Sequence, residues 1–189
     1  MDRRLFLAGL GALCGTTGST TAWADGALSL LVEPRTHVIM RHALAPGTGD
    51  PATFALRECG TQRNLDSRGR EQARATGAML RDAGVRIDAV LSSQWCRCLD
   101  TARLLDLAPV EEEPALNSFF SARSRAGAQT AAVIERLAST PEDRTFMLVT
   151  HFVNVRALLG ETTTSGEMVI FRLERDGTTT IRDTVLVPA

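Results

Sequence analysis

Apolar positions along this chain fall into two kinds of block. Short, continuous runs read as strands buried on both faces, and longer stretches with apolar residues three or four apart read as helices. "HVIM", His37 to Met40, is the first run of strand type. Asp66 to Gly84 follows with Ala73, Gly77, Met79 and Leu80 on one helical side, and Gly84 as the stop. Ile87 to Ser93 is a second strand, leading into the helix of "SQWCRCLDTARLLDL", for which Ser93 is the expected N-cap. A third helix spans Ala126 to Ser139 and is closed by Thr140-Pro141. "TFMLVTH", Thr145 to His151, is the most continuous strand, and "FVNVRALLG" gives a short helix ending at Gly160. "EMVIFRLE" and "TTIRDTVLV" flank the turn signal Asp176-Gly177 and read as a hairpin. Strand–helix alternation closed by a hairpin predicts an α/β domain of three layers, α/β/α, with a mostly parallel central sheet.

The N-terminal region breaks this pattern. Arg3-Arg4 precede "LFLAGLGALCG", and "TTAWA" precedes Asp25-Gly26. A charged start, an apolar middle and small residues around Trp23 are the parts of an export signal. "DRRLFLAG" is twin-arginine-like, and the apolar run is too short and glycine-rich for a stable membrane span. Residues 1–24 are therefore expected to be a signal peptide, and 25–189 one domain that works in the periplasm or outside the cell. The remaining length suits one well-cored domain. With a formal net charge of −1 over 189 residues, nothing points to nucleic acid as partner.

Removal of the signal would leave Cys59, Cys96 and Cys98. Export permits a disulfide, and Cys96 and Cys98 stand too close to be partners. The expectation is a bridge from Cys59 to one of them. No C-x2-C pair and no nearby histidine supports a metal site, so no metal is expected.

The chemistry gathers at strand ends, where ligands collect in sheets of this type. The chain has three histidines. His42 directly follows the first strand, and His151 closes the "TFMLVT" strand. Arg41 adjoins His42, and Arg97 lies in the first turn after "AVLSS". Two arginines and two histidines brought to one sheet edge have an obvious ligand in a phosphate group, since guanidinium forks match phosphate oxygens.

"VIMRHALAPG", "QRNLDSRGREQARATGAML", "DAVLSSQWCRCLDTARLL" and "MLVTHFVNVRALLG" together resemble the successive motifs of the histidine phosphatase superfamily, the group related to phosphoglycerate mutase. Within it the chain is similar to the smaller exported branch of lipopolysaccharide core heptose phosphatases. The resemblance implies the phosphoglycerate mutase-like fold, a phosphohistidine intermediate and no cofactor. It makes His42 the nucleophile, His151 the second pocket histidine, and Arg41 and Arg97 the phosphate-binding arginines. Leu65, Gly69, Gln72 and Ala73 become scaffold. A small phosphorylated substrate follows, with a phosphorylated cell-envelope sugar as the expected class. Cytoplasmic phosphohistidine proteins are disfavoured as substrates by the signal segment, and mutase activity by the same route.

Two departures bear on this expectation. Ala43 replaces a glycine common after the Arg-His pair. Asn117 stands near the place of a glutamate that serves many relatives as general acid, and an amide has no carboxyl proton to give. Asp50, nearest the nucleophile loop, is the first candidate for that role, ahead of Glu58 and Glu113. A catalytically silent phosphate- or phosphoglycan-binding protein is the alternative, and a cysteine-based redox or metal protein the third reading. Trp95 and the phenylalanines of "SFF" are expected at the substrate mouth.

Overall fold

The computed structural model describes residues 26–189, so the expected signal peptide and Cys14 lie outside the described residues. Six strands form one sheet: β1 (Thr36–Arg41), β2 (Ala89–Ser92), β3 (Val110–Glu112), β4 (Phe146–Thr150), β5 (Glu167–Leu173) and β6 (Thr179–Leu186). Their order is β3-β2-β4-β1-β5-β6. The four strands from β3 to β1 run parallel, and β5 and β6 are antiparallel additions at the far edge. Four helices cover the sheet: α1 (Ser67–Asp82), α2 (Cys96–Leu105), α3 (Ala126–Ala138) and α4 (Phe152–Leu159).

Strand alternation divides the core in two. Val38, Met40, Val90, Met147 and Val149 face α1 and α2, where Leu80, Ala102 and Leu105 meet them. Ile39, Leu91, Phe146 and Leu148 face α3 and α4, against Val133, Leu137, Val155 and Leu158. β1, β2 and β4 are thus buried on both faces, as their unbroken apolar runs require, whereas the edge strand β3 reads Val-Glu-Glu and is largely exposed. Three layers result, and the sheet is mostly parallel as expected.

Two helix ends show local specification plainly. Asp66 caps α1 by accepting from the Gly69 N–H at 2.7 Å, and Gly160 ends α4 with φ +80°. The α2 start differs from expectation. Its N-cap is Trp95, which makes no side-chain capping bond. The cap comes instead from Gln62, whose Oε1 accepts the Cys96 N–H at 2.9 Å. Ser93 lies ahead of the helix: its Oγ accepts the Trp95 N–H at 3.4 Å and sits 3.0 Å from His151 Nε2. His37, the third histidine, is core: it is 2% exposed and stacks on Phe146.

Candidate active site

Parallel pairing decides where the chemistry meets. Arg41 at the end of β1 lies in register with Thr150 at the end of β4, so His42 and His151 are the next residues on adjacent strands. Their rings meet edge to face at 5.6 Å between centroids. Ser92 of β2 is in register with Val149, which sets the first turn of α2, and Arg97 on it, beside the same edge. All four predicted residues, Arg41, His42, Arg97 and His151, line one cavity of about 500 Å3.

The polarity of the His42 ring is set by its backbone. Nδ1 lies 2.8 Å from the Ala43 carbonyl oxygen, which only accepts, so the proton is on Nδ1 and Nε2 carries a lone pair. Burial, then the charge of Arg97, holds this imidazole well below its ordinary pKa, with Arg41 and Arg63 adding to the effect against the Ala43 bond. His151 is likewise pushed well down by burial, with His42, Arg97, Arg63 and Arg41 contributing. Both rings are neutral at neutral pH.

Arg97 is 3% exposed and its fork is engaged by Asp50, at 2.7 Å and 3.1 Å. The Nε atoms of Arg41 and Arg97 are buried and have no partner in the protein. Arg41 donates from Nη1 to the Thr163 carbonyl and lies over the Phe152 ring. A third cation, Arg63, lines the cavity and was assigned no role by the sequence. It bonds the carbonyls of Gly49 and Ala45, and its N–H reaches Asp50 at 3.1 Å. Arg63 belongs to the "QRNLDSRG" stretch, and nothing in that spacing turns it toward the sheet edge.

Asp50 lines the cavity but is not free. Burial works to raise its carboxyl, yet the hydrogen bonds and charge of Arg97, with bonds from Arg63 and Trp95, outweigh it and hold the pKa below the usual value. A carboxylate held ionised has no proton to give, so the expectation of Asp50 as general acid is revised to one of Arg97 partner. Glu58 and Glu113 are absent from the lining, where Asp50 is the sole carboxylate, and Asn117 stands behind the wall. Trp95 and Phe120 reach the mouth as expected, joined by Phe54 and Phe152, whereas Phe119 is core. Phe54 stacks on Trp95 at 5.0 Å.

Gln72 holds the loop after His42 in place: its Oε1 accepts the Leu44 N–H, and its Nε2 donates to the Ser165 and Val187 carbonyls. Cys59 and Cys96 form the disulfide, tying the loop that carries Asp50 and Arg63 to the helix that carries Arg97. Cys98 is left as a buried free thiol. Among the described residues no group of three or more His, Cys, Asp and Glu side chains is arranged to hold a metal ion.

Residues 38–121 match the family described as the histidine phosphatase superfamily (branch 1). The matched stretch includes Arg41, His42, Arg63 and Arg97 and ends before His151. Among solved structures, the protein histidine phosphatase SixA complexed with tungstate is similar at 21% identity and TM-score 0.58, over 80% of this chain and 96% of that one. The mycobacterial glucosyl-3-phosphoglycerate phosphatase is similar at 18% and 0.57, over 82% and 100%. The phosphoserine phosphatase of Entamoeba histolytica in complex with 3-phosphoglyceric acid gives 13% and 0.58, over 80% and 97%. At these identities the likeness is one of fold. No curated protein matches the chain.

Proposed function

We propose that this chain is an exported phosphomonoesterase that works through a phosphohistidine at His42, with a phosphorylated cell-envelope sugar as its substrate class. One observation carries the mechanism: a neutral imidazole whose bare Nε2 belongs to a cavity ringed by Arg41, Arg63 and Arg97. The unpartnered Nε atoms of Arg41 and Arg97 are donors for phosphate oxygens. Preorganised guanidinium groups stabilise the charge spread over the transferring phosphoryl group. Attack by Nε2 forms the N–P bond, and water then releases phosphate, which divides one hard displacement into two. The aromatic mouth offers flat faces to a sugar ring. Export rests on the charged, apolar and small-residue order of residues 1–24. No helix among the described residues is long and apolar enough to cross a membrane.

A silent phosphate-binding protein is favoured by one feature, the lack of a free carboxyl in the cavity lining. Turnover decides between the two. The chain should hydrolyse para-nitrophenyl phosphate in the presence of chelator, and His42→Ala should lose at least about a thousandfold, the scale for removing a nucleophile that forms a covalent intermediate. Phosphate binding with no turnover would instead establish the silent reading.

A further inference from the structure

Asn117 stands where the resemblance leads one to expect a general acid, yet it lies behind the cavity wall in a chain of amides. That chain begins at Glu112 and can be read with a single polarity. A carboxylate only accepts, so the Gln94 Nε2 must face Glu112, at 3.0 Å. Gln94 then presents Oε1 to Asn117, whose Nδ2 donates to it at 2.9 Å. Asn117 Oδ1 is left to accept, from the Gln94 N–H at 2.8 Å and from the Ser93 hydroxyl at 3.2 Å. With its one hydrogen spent on Asn117, Ser93 Oγ can only accept from His151 Nε2, 3.0 Å away. His151 therefore carries its proton on Nε2, and its Nδ1 is bare. Cys98 agrees with this polarity. Burial pushes its thiol up to about 12, so it stays protonated and donates toward the Thr150 carbonyl, with Sγ 3.5 Å from His151 Nε2.

We propose that Gln94, Asn117 and Ser93 are positioning residues that hold His151 with Nδ1 unprotonated, so that His151 takes up a proton together with the phosphorylated substrate and becomes the proton carrier that no carboxyl in this cavity provides. The proposal rests on the phosphatase reading for its second half only. The charged and titratable groups around His151 are His42 and Arg41 from the end of β1, Arg97 and Cys98 from α2, and Arg63, with Asp50 acting through Arg97. Burial keeps the ring neutral, with His42 and the cations Arg97, Arg63 and Arg41 adding to the effect. A phosphate dianion reverses the local field, and a bare nitrogen beside it gains a proton. When His42 Nε2 bonds to phosphorus and the P–O bond to the leaving group breaks, that proton goes to the leaving oxygen, which departs as a neutral alcohol. In the second step Nδ1 takes a proton from the water whose oxygen attacks phosphorus. The N–P bond breaks and its electron pair returns to His42, and the proton is then released to solvent with the phosphate.

Nitrogen-15 NMR of the His151 ring in the whole chain tests the first half without any turnover. The wild type is expected to show the single Nε2–H form. In Asn117→Ala the freed Ser93 hydroxyl can donate to Nε2, and the ring proton should move to Nδ1. Ser93→Thr should keep the wild-type form, and Ser93→Ala should lose it. Calorimetric binding of inorganic phosphate in two buffers of different ionisation enthalpy, at a pH where the free ion is chiefly dianionic, tests the second half. Uptake of about one proton is expected for the wild type and well under half a proton for Asn117→Ala. A wild-type ring protonated on Nδ1, or one unchanged in both Asn117→Ala and Ser93→Ala, overturns the positioning chain even if phosphate binds. Phosphate binding without proton uptake overturns the carrier role and leaves the phosphatase reading intact. If phosphate fails to bind at all, both fall.

Discussion

Two side chains show how tertiary surroundings decide what a titratable residue is for. His37 lies among Phe146 and Phe171 and has its pKa lowered to about 4 by burial, with Arg35 adding to the shift. The unfolded chain has an ordinary histidine, near 6.5, so below that value the unfolded state binds the extra proton. The neutral His37 therefore contributes its full stability above pH ~6.5 and loses it as the pH falls toward 4, over a span of about 3 kcal/mol. Thermal unfolding of the wild type and His37→Gln across this range checks it, and the wild type should lose stability more steeply on acidification. Asp50 is the opposite case, a carboxylate kept ionised by Arg97. Because it orients a cation and donates no proton, Asp50→Asn should lower kcat/KM by about tenfold, or ~1.4 kcal/mol. The shape of the pH–rate profile should be retained. Loss of one limb of that profile would restore Asp50 as the acid.

At the level of elements, the close passage of α1 past the loop after His42 is the feature that matters most. A Cβ on Gly69 would collide with the Leu44 carbonyl, and one on Gly77 with the Leu105 carbonyl. Backbone on both sides leaves nothing flexible to yield. Gly69→Ala should therefore push α1 away from Leu44, two residues from His42, at a cost of about 1–3 kcal/mol. Chemical denaturation measures the stability loss. Activity should fall with it, because Gln72 on the same helix bonds the Leu44 N–H. Gly77→Ala disturbs the α1–α2 contact at the far end of the helix, and is the matched control for stability loss away from His42.

For the molecule as a whole, the disulfide is, among the described residues, the one covalent link between separate parts of the cavity wall. Cys59 and Cys96 are 37 residues apart in sequence. Closing a loop of that size stabilises a fold by about 4 kcal/mol in the chain-entropy description. Reductant, or Cys59→Ala with Cys96→Ala, should lower the unfolding temperature by several degrees. It should also raise KM more than it lowers kcat, since the loop with Arg63 and Asp50 is released from the helix with Arg97, while His42 and His151 stay on their strands. Equal stability and kinetics with and without reductant would show that packing alone holds this wall.

The amino-acid sequence by itself determined every strand and helix but the short β3, and the placing of its arginines and histidines at strand ends. Apolar periods of two kinds specify strand and helix, and placing His42, Arg97 and His151 just past strand ends is enough to bring them to one edge once the strands run parallel. Those are local properties, readable because burial on two faces or on one leaves a mark in consecutive letters. Tertiary structure alone decided the rest. Arg63 turns inward only because Gly49 and Ala45 offer it carbonyls. Asp50 changes from proton donor to ion-pair partner because Arg97, 47 positions away, meets it. Cys59 pairs with Cys96, not Cys98, because Cys96 starts the α2 helix beside the loop, whereas Cys98 points into the core. The proton on His151 is set by a neighbour drawn from β2's end and another from the segment after β3. Hydrogen-bond direction and ion pairing depend on distances of a few ångströms between residues remote in sequence, and no periodicity in the chain records them.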